Sequence, residues 1–366
     1  MNIGFYYEGK KETWVTSEST DPFLIVGREA RETLVRLFLD EVYGGKGCAY
    51  FGDAEEVLTH IPSSRTKDTV LFEMDSENPP AFNPFKGVPP SGRSDVAEHV
   101  LEAFTAVWDY KTPTPQFDMY MLTASLAMMG IKDGSLLSLP YLLTSKTYRT
   151  YVIRHLKDAI LKRHWEHFDE LPLRDQNDRT ISVLNRLIPL ITDPLMRNVI
   201  GQLRTMDIKD TDILIVRLPK GKKYELLAGL IQSRLNGRVF VEKPLIFVGG
   251  GQPVIACRYL DELSERLKNR LLGTANIISF KAGARDEKIL KPYFNIRDND
   301  IQLTSPDMVP NLAYVRLEDI YLLEMPPHFY PKYPHSPKAI KDRSRTNYTE
   351  RKAYVEEHIE RFVENT

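Results

Sequence analysis

Apolar positions along the chain change rhythm twice. From the N-terminus to about residue 72, short apolar runs alternate with amphipathic stretches. Strands are expected over 3–7, 13–16, 23–26, 48–51 and 68–72. Between them, Leu34, Leu37, Phe38 and Val42 fall on one face of a helix over 33–43, the 3.6-residue period of an amphipathic helix. A second helix follows Gly52-Asp53, where the aspartate suits an N-cap, and Ile61-Pro62 stops it. This β-α-β-α-β order predicts a mainly parallel sheet with helices on its faces. Composition turns loop-like over 77–92, and a long helical stretch follows. Val96, Val100, Phe104 and Val107 form one stripe, and Met119, Leu122, Leu126 and Met129 another. Further helices are expected over 136–144, 148–164, 180–191 and 194–200. The stretch 93–205 reads as an inserted all-α subdomain.

The α/β rhythm then resumes over 206–325. Strands are expected at 212–218, 244–248, 276–280, 313–317 and 320–323, with helices at 224–235, 259–272 and 284–293. Residues 326–366 form a basic, Pro-rich tail ending in a helix over 349–363. The expected division is therefore 1–92 and 206–325 as two parts of one α/β core, with 93–205 inserted and the tail appended.

Charge and composition narrow the class. The 366 residues are 42% hydrophobic and 27% charged, with a formal net charge of -1. The chain as a whole is not a polyanion binder, so any nucleic-acid contact is local. No apolar run reaches the roughly 20 residues of a membrane span, and no signal peptide is read at the N-terminus. Cys48 and Cys257 stand far apart in apolar surroundings, which fits a reducing cytoplasm and neither a disulfide framework nor a zinc site. His164 and His167, with Glu166 and Asp169 nearby, are read as a mixed-charge helix end and not as metal ligands. No metal site and no catalytic constellation is expected.

The candidate chemistry lies at Leu24-Ile25-Val26-Gly27-Arg28-Glu29-Ala30-Arg31-Glu32-Thr33-Leu34. Strand, glycine, polar turn and helix have the layout of the phosphate-binding loop G-x-x-x-x-G-K-[ST]. The chemistry departs from it: Glu32 takes the place of the second glycine, and no Lys-Ser or Lys-Thr pair follows. Gly27, Arg28, Arg31 and Thr33 are the candidate nucleotide contacts. Gly249-Gly250-Gly251 is read as a strand-to-helix turn needing unusual backbone angles, in preference to a second phosphate loop.

Several segments resemble the conjugative coupling-protein (TraG-like) and HerA/FtsK-type ATPases. Ile61-Pro62-Ser63-Ser64-Arg65-Thr66-Lys67-Asp68-Thr69-Val70-Leu71-Phe72 is similar to that family's I-P-x-x-R-x-x-D-V-I-x-F, and Pro80-Ala81-Phe82-Asn83-Pro84-Phe85 to its P-x-G-F-N-P-L. The stretch 45–53 resembles its second strand and following turn. More weakly, 277–287 is similar to I-S-F-R-x-G-x-x-D-A-E, and Arg343-Ser344-Arg345-Thr346-Asn347-Tyr348 with Val355-Glu356 to S-R-x-x-Y…V-E. The resemblance implies a RecA-like P-loop core, an all-α insertion and a hexameric or other homo-oligomeric assembly on DNA.

Active relatives hold Mg²⁺ on an apolar strand ending in Asp-Glu. The strand expected at 244–248 ends instead in Gly249-Gly250-Gly251-Gln252, with Gln252 either ending the altered strand or serving as the family's sensor glutamine. Loss of both motifs predicts no ATP hydrolysis and no bound cofactor. The chain is then a structural, DNA-handling or partner-binding subunit of a mobile-element or phage-type assembly, beside copies of itself or an active ATPase paralogue. The competing readings are an ATP-Mg-driven DNA translocase with an atypical site, completed in trans by Lys281 or Arg285, and an adaptor docking partners through its all-α domain. Lys281, Arg285, Lys341, Arg343, Arg345 and Tyr348 are the candidate DNA or subunit contacts, on the logic that cations interleaved with aromatics suit phosphates and bases. No membrane contact is expected.

Overall fold

Runs apolar on every residue, such as Phe23-Leu24-Ile25-Val26 and Cys48-Ala49-Tyr50-Phe51, suit strands buried on both faces. In a computed structural model they lie inside one large sheet. Residues 1–8, 10–108, 114–244, 246–297, 299–327 and 330–366 are described. The strands are β1 (Asn2–Glu8), β2 (Lys11–Thr16), β3 (Phe23–Val26), β4 (Cys48–Phe51), β5 (Thr69–Glu73), β6 (Ile213–Arg217), β7 (Arg238–Glu242), β8 (Gln252–Cys257), β9 (Asn276–Ser279), β10 (Leu312–Arg316) and β11 (Ile320–Glu324). Among the described residues their order is β2-β1-β11-β10-β9-β3-β8-β7-β4-β6-β5. From β9 through β3, β8, β7 and β4 to β6 the pairing is parallel. The edge formed by β10, β11, β1 and β2 is antiparallel.

The helices are α1 (Ala30–Tyr43), α2 (Ala54–Thr59), α3 (Arg93–Trp108), α4 (Pro115–Gly130), α5 (Leu139–Thr144), α6 (Lys146–His155), α7 (Ala159–Glu170), α8 (Leu173–Ile191), α9 (Pro194–Ile200), α10 (Lys222–Gln232), α11 (Glu265–Thr274), α12 (Ala284–Leu290), α13 (Ser336–Tyr348) and α14 (Lys352–Glu364). Two compact units result. The first comprises Met1–Leu71, Ile208–Arg217 and Leu235–Asp342, and the second Phe72–Asp207, Leu218–Arg234 and Arg343–Thr366.

In the first unit, α1 packs on the sheet through Leu34, Leu37 and Phe38, with the Phe38 ring 5.1 Å from Tyr50 and 5.6 Å from Phe240. Arg36 is buried on the same helix and donates to the carbonyls of Asn2 (2.8 Å) and Ile3 (2.5 Å), which fixes β1 to α1. Asp53 caps α2 by accepting from the Glu55 N–H.

The second unit is helical. Packing joins α3 to α4 and α10, and α4 to α8. Its largest buried side chains include Trp165, Tyr120, Phe117 and Phe168. Asn83 of the Pro80–Phe85 motif is buried, donating to the Gly134 carbonyl (2.8 Å) and accepting from the Phe85 N–H (3.0 Å). That motif is a structural pin.

The structure corrects the sequence at several points. The strand expected over 244–248 is absent among the described residues (Leu245 lies outside them); β7 and β8 flank that segment instead. Ile246, Phe247 and Val248 are buried in the loop between β7 and β8. These strands are parallel, and such pairs ordinarily need a crossover of about a dozen residues or more. Here residues 243–251 suffice, with that apolar loop taking the place of a helix. Gly249, at φ +98°, has the unusual angle expected of the glycine run, but the turn joins strand to strand. The helix expected at 259–272 begins only at Glu265, after a 3-10 turn over Leu260–Glu262. The tail carries two helices, α13 and α14, where one was expected.

Candidate functional site

All six parallel strands point their carboxyl ends to one edge, where open α/β sheets hold their ligands. Three adjacent strands end there on a cation: β3 runs through Gly27 to Arg28, β8 into Arg258, and β9 through Phe280 to Lys281. Their register is fixed by the pairs Val26–Cys257 and Val26–Ser279, by the Gly27 N–H donating to the Cys257 carbonyl (3.1 Å), and by the Phe280 N–H donating to the Val26 carbonyl (2.9 Å). Arg28, Arg258 and Lys281 line a cleft of about 410 Å³ whose other walls include Glu29, Tyr259, Met308 and Val309. All three cations are exposed, and their side chains have no carboxylate within ion-pair distance among the described residues. The Arg258 guanidinium lies over the Tyr259 ring, 5.3 Å from its centroid. The cleft is thus a cationic surface with an aromatic and an apolar wall.

Gly27 makes this edge possible. Its φ of +122° suits glycine, and a Cβ there would stand 2.7 Å from the Cβ of Phe280. The loop is short: β3 ends at Val26 and α1 begins at Ala30. The Gly27 N–H is spent on the Cys257 carbonyl, and at the start of α1 the Ala30 N–H donates to the Gly27 carbonyl (3.3 Å) and the Thr33 N–H to the Glu29 carbonyl (3.1 Å). Thr33 is buried in the first helical turn, 5% exposed.

Arg31 turns along the edge toward β7. Its Nε donates to Glu242 Oε1 at 3.1 Å, and its Nη1 to Glu56 Oε2 at 2.7 Å. Tyr50 donates its hydroxyl to the same Glu242 oxygen. Partial burial works against the Arg31 charge, but the hydrogen bond it donates to Glu56 and the Glu242 charge outweigh it and raise its pKa above the ordinary guanidinium value. Burial and then Glu242 push the Tyr50 phenol up, so it stays a donor. Gly52 leaves room for this carboxylate, since a Cβ there would meet Glu242 Cδ at 2.7 Å. Glu242 was missed in the sequence because β7 was missed. The available signal was its place directly after Val239-Phe240-Val241.

The remaining candidates scatter. Gln252 opens β8 and so lies at the amino end of that strand, opposite Gly27; it does not join the site and is not placed as a sensor. Arg285 is paired with Asp261. Lys341 donates to Glu55 at 2.9 Å. Arg343 and Arg345 lie on α13, and the carbonyl of Tyr348 accepts from the Ala81 N–H at 3.2 Å, so the end of that helix has a structural task. Among the described residues no cluster of His, Cys, Asp and Glu could hold a metal. His164 is half-buried beside Tyr120 and Trp165, and its pKa is lowered by burial. Both cysteines are free and buried, which drives their thiol pKa values up.

No family model and no curated protein matches the chain. Solved structures do. VirB4 of Thermoanaerobacter pseudethanolicus aligns over 90% of this chain and 97% of its own, with a TM-score of 0.59 at 10% identity. The unbound bacterial conjugative coupling protein TrwBdeltaN70 aligns over 87% and 88%, with a TM-score of 0.55 at 9% identity. Plasmid coupling protein TrwB in complex with the non-hydrolysable GTP analogue GDPNP aligns over the same shares, with a TM-score of 0.53 at 11% identity. The fold is therefore that of RecA-like P-loop ATPases of the coupling-protein and VirB4 kind. Among the described residues no helix is long and apolar enough to cross a membrane.

Proposed function

We propose that this chain, built on the fold of the coupling-protein and VirB4 ATPases, is a non-hydrolysing subunit of a DNA-transfer or DNA-processing assembly of mobile-element or phage type, and that it handles DNA through the cleft of Arg28, Arg258 and Lys281. The observation that carries the reading is the ion pair between Arg31 and Glu242. A magnesium triphosphate needs a cradle of free loop amides, a lysine on the β/γ-phosphates and a hydroxyl and carboxylate for the metal. The residues present do not fit it. Only Gly27, Arg28 and Glu29 separate strand from helix, the Ala30 and Thr33 amides are bonded within the backbone, and Thr33 is buried. The carboxylate at the end of β7 is held by a guanidinium fixed in the chain. Glu29 and Glu32 add charge of the wrong sign for a triphosphate.

The unpaired cations remain available to a phosphodiester backbone, with Tyr259, 47% exposed, as a stacking platform. Fluorescence anisotropy with a single-stranded oligonucleotide tests this. Arg258→Ala with Lys281→Ala is expected to weaken binding about tenfold or more and to flatten the dependence on salt by about one unit of slope or more. Both residues are exposed, so the fold is retained. Unchanged affinity and slope in the double variant would remove DNA from this cleft.

A further inference from the structure

Gln202 follows the end of α9 in the second unit and is 8% exposed. Its Nε2 donates to the carbonyls of Pro79 (3.2 Å), Pro80 (3.3 Å) and Asn198 (2.8 Å). Carbonyl oxygens only accept, so these contacts fix which end of the carboxamide is nitrogen. The other end, Oε1, accepts no hydrogen bond among the described residues, and it is not sealed from solvent. It opens on a cavity of about 250 Å³ that Gln202 lines. A side chain this buried with an open acceptor is placed to take a donor from whatever fills that cavity.

The cavity is walled by the loop after α4, the segment after α9, and α14. Leu137, Leu203, Val355, Phe362 and the Tyr354 ring make its lining mainly apolar. Phe362 is held in place by Tyr141 and Tyr148, whose rings meet it edge to face at 5.3 and 5.5 Å. Three charged residues line the same space, Asp133, Arg204 and Glu350. Arg204 is spent on Glu350 at 2.9 Å. Asp133 Oδ1 accepts from the Tyr151 hydroxyl (2.9 Å), and no cation pairs with this carboxylate among the described residues. One negative charge is therefore left over. His358 adds an acceptor, because its Nδ1 lies 3.1 Å from the Tyr354 carbonyl and must be the donor there, which leaves Nε2 the lone pair in the neutral ring.

One free carboxylate and two neutral acceptors in an apolar box suit a monocation that carries N–H donors on an apolar body. Aromatic faces at Tyr354 and Phe362 favour the same charge. A cavity of about 150 Å³ holds a benzene ring, so this one has room for a bicyclic ring or a ring with a short chain.

We propose that this cavity binds a small aromatic primary amine, its ring on the apolar wall and its ammonium on Asp133 and Gln202 Oε1. An ammonium has three N–H donors, enough for both oxygens. The site lies wholly within the helical unit, so it goes beyond the proposed role of the core and holds whether or not the cleft binds DNA.

Isothermal titration of the full chain with tryptamine, and with indole-3-acetate as an anion of like shape, tests it. Tryptamine is expected to bind one site at about a millimolar or tighter, and indole-3-acetate about tenfold more weakly or worse. Asp133→Asn keeps an acceptor for Tyr151 and removes the charge; it should weaken tryptamine by about tenfold and narrow the gap between amine and acid. Tyr354→Ala, at a residue 51% exposed, should weaken both ligands with the fold retained. In methyl spectra, tryptamine should shift Leu137, Leu203 and Val355. No saturable heat up to about ten millimolar, equal affinity for amine and acid, indifference to Asp133→Asn, or shifts confined to other methyls would each overturn the proposal. The Arg258→Ala/Lys281→Ala variant should bind tryptamine as the wild type does, so the two readings fail separately.

Discussion

Gly27→Ala is expected to destabilise the first unit by about 3 kcal/mol or more, summing backbone strain and overpacking. At φ +122° an L side chain is strained before any contact is made. The new Cβ would also stand 2.7 Å from the Cβ of Phe280, and 3.3 Å from both the Phe280 Cα and the Lys281 carbonyl. These are backbone and near-backbone atoms of the neighbouring strand end, so no flexible tip can swing away. Relief requires β3 and β9 to part at the Val26–Ser279 pair, which also breaks the bond from Phe280 N–H to the Val26 carbonyl. Cys257 reports the damage, because its carbonyl accepts the Gly27 N–H and its thiol is buried. Labelling of Cys257 by a thiol reagent under native conditions should accelerate by two orders of magnitude or more, about what this loss of stability converts to. Labelling at the wild-type rate would mean that the glycine is dispensable for the fold.

Arg149→Ala carries the other large effect, about 3–5 kcal/mol in the second unit, the cost of breaking a buried charge pair on one side. The Arg149 side chain is 2% exposed; its Nε meets Asp169 at 2.5 Å, Nη1 the Leu142 carbonyl at 2.9 Å and Nη2 Gln176 at 3.1 Å. Its guanidinium also lies 4.9 Å from the Phe168 ring centroid. Truncation leaves the Asp169 carboxylate, 18% exposed, without its cation and opens a cavity beside Phe168. Arg149→Lys should recover little, because a point charge cannot make the forked set of contacts. Urea unfolding followed by tryptophan emission reads this unit through buried Trp165, whose ring is 5.5 Å from that of Phe168. A loss below about 1 kcal/mol, the scale of a surface pair, would contradict the role given to Arg149.

How far the sequence reveals this arrangement depends on which forces are local. Continuous apolar runs place β3 and β4, and Asp53 marks the start of α2, because burial on both faces and capping leave their imprint on neighbouring residues. Strands β7 and β8 escape. Val239-Phe240-Val241 is short and flanked by charged residues, Gly251 precedes β8 and Pro253 lies within it, and the stronger apolar run at 246–248 proves to be a buried loop. Membership of the sheet is settled there by neighbours far along the chain. The cleft is non-local for the same reason: Arg28, Arg258 and Lys281 meet only because three parallel strands end at one edge. A strand-end rule would have found them, since each follows its apolar run by no more than two residues. The pairing of Arg31 with Glu242 leaves no local trace, yet it changes what the Gly27 turn can do.

Steady-state phosphate release by the full chain with magnesium ATP and magnesium GTP, with and without single-stranded DNA, tests the central claim most directly. With Arg31 holding Glu242 and the Gly27, Ala30 and Thr33 amides bonded within the backbone, release at the rate of buffer alone is the predicted result. Turnover that DNA stimulates and Glu242→Gln abolishes would contradict it, because the carboxylate would then be serving a metal and not a guanidinium.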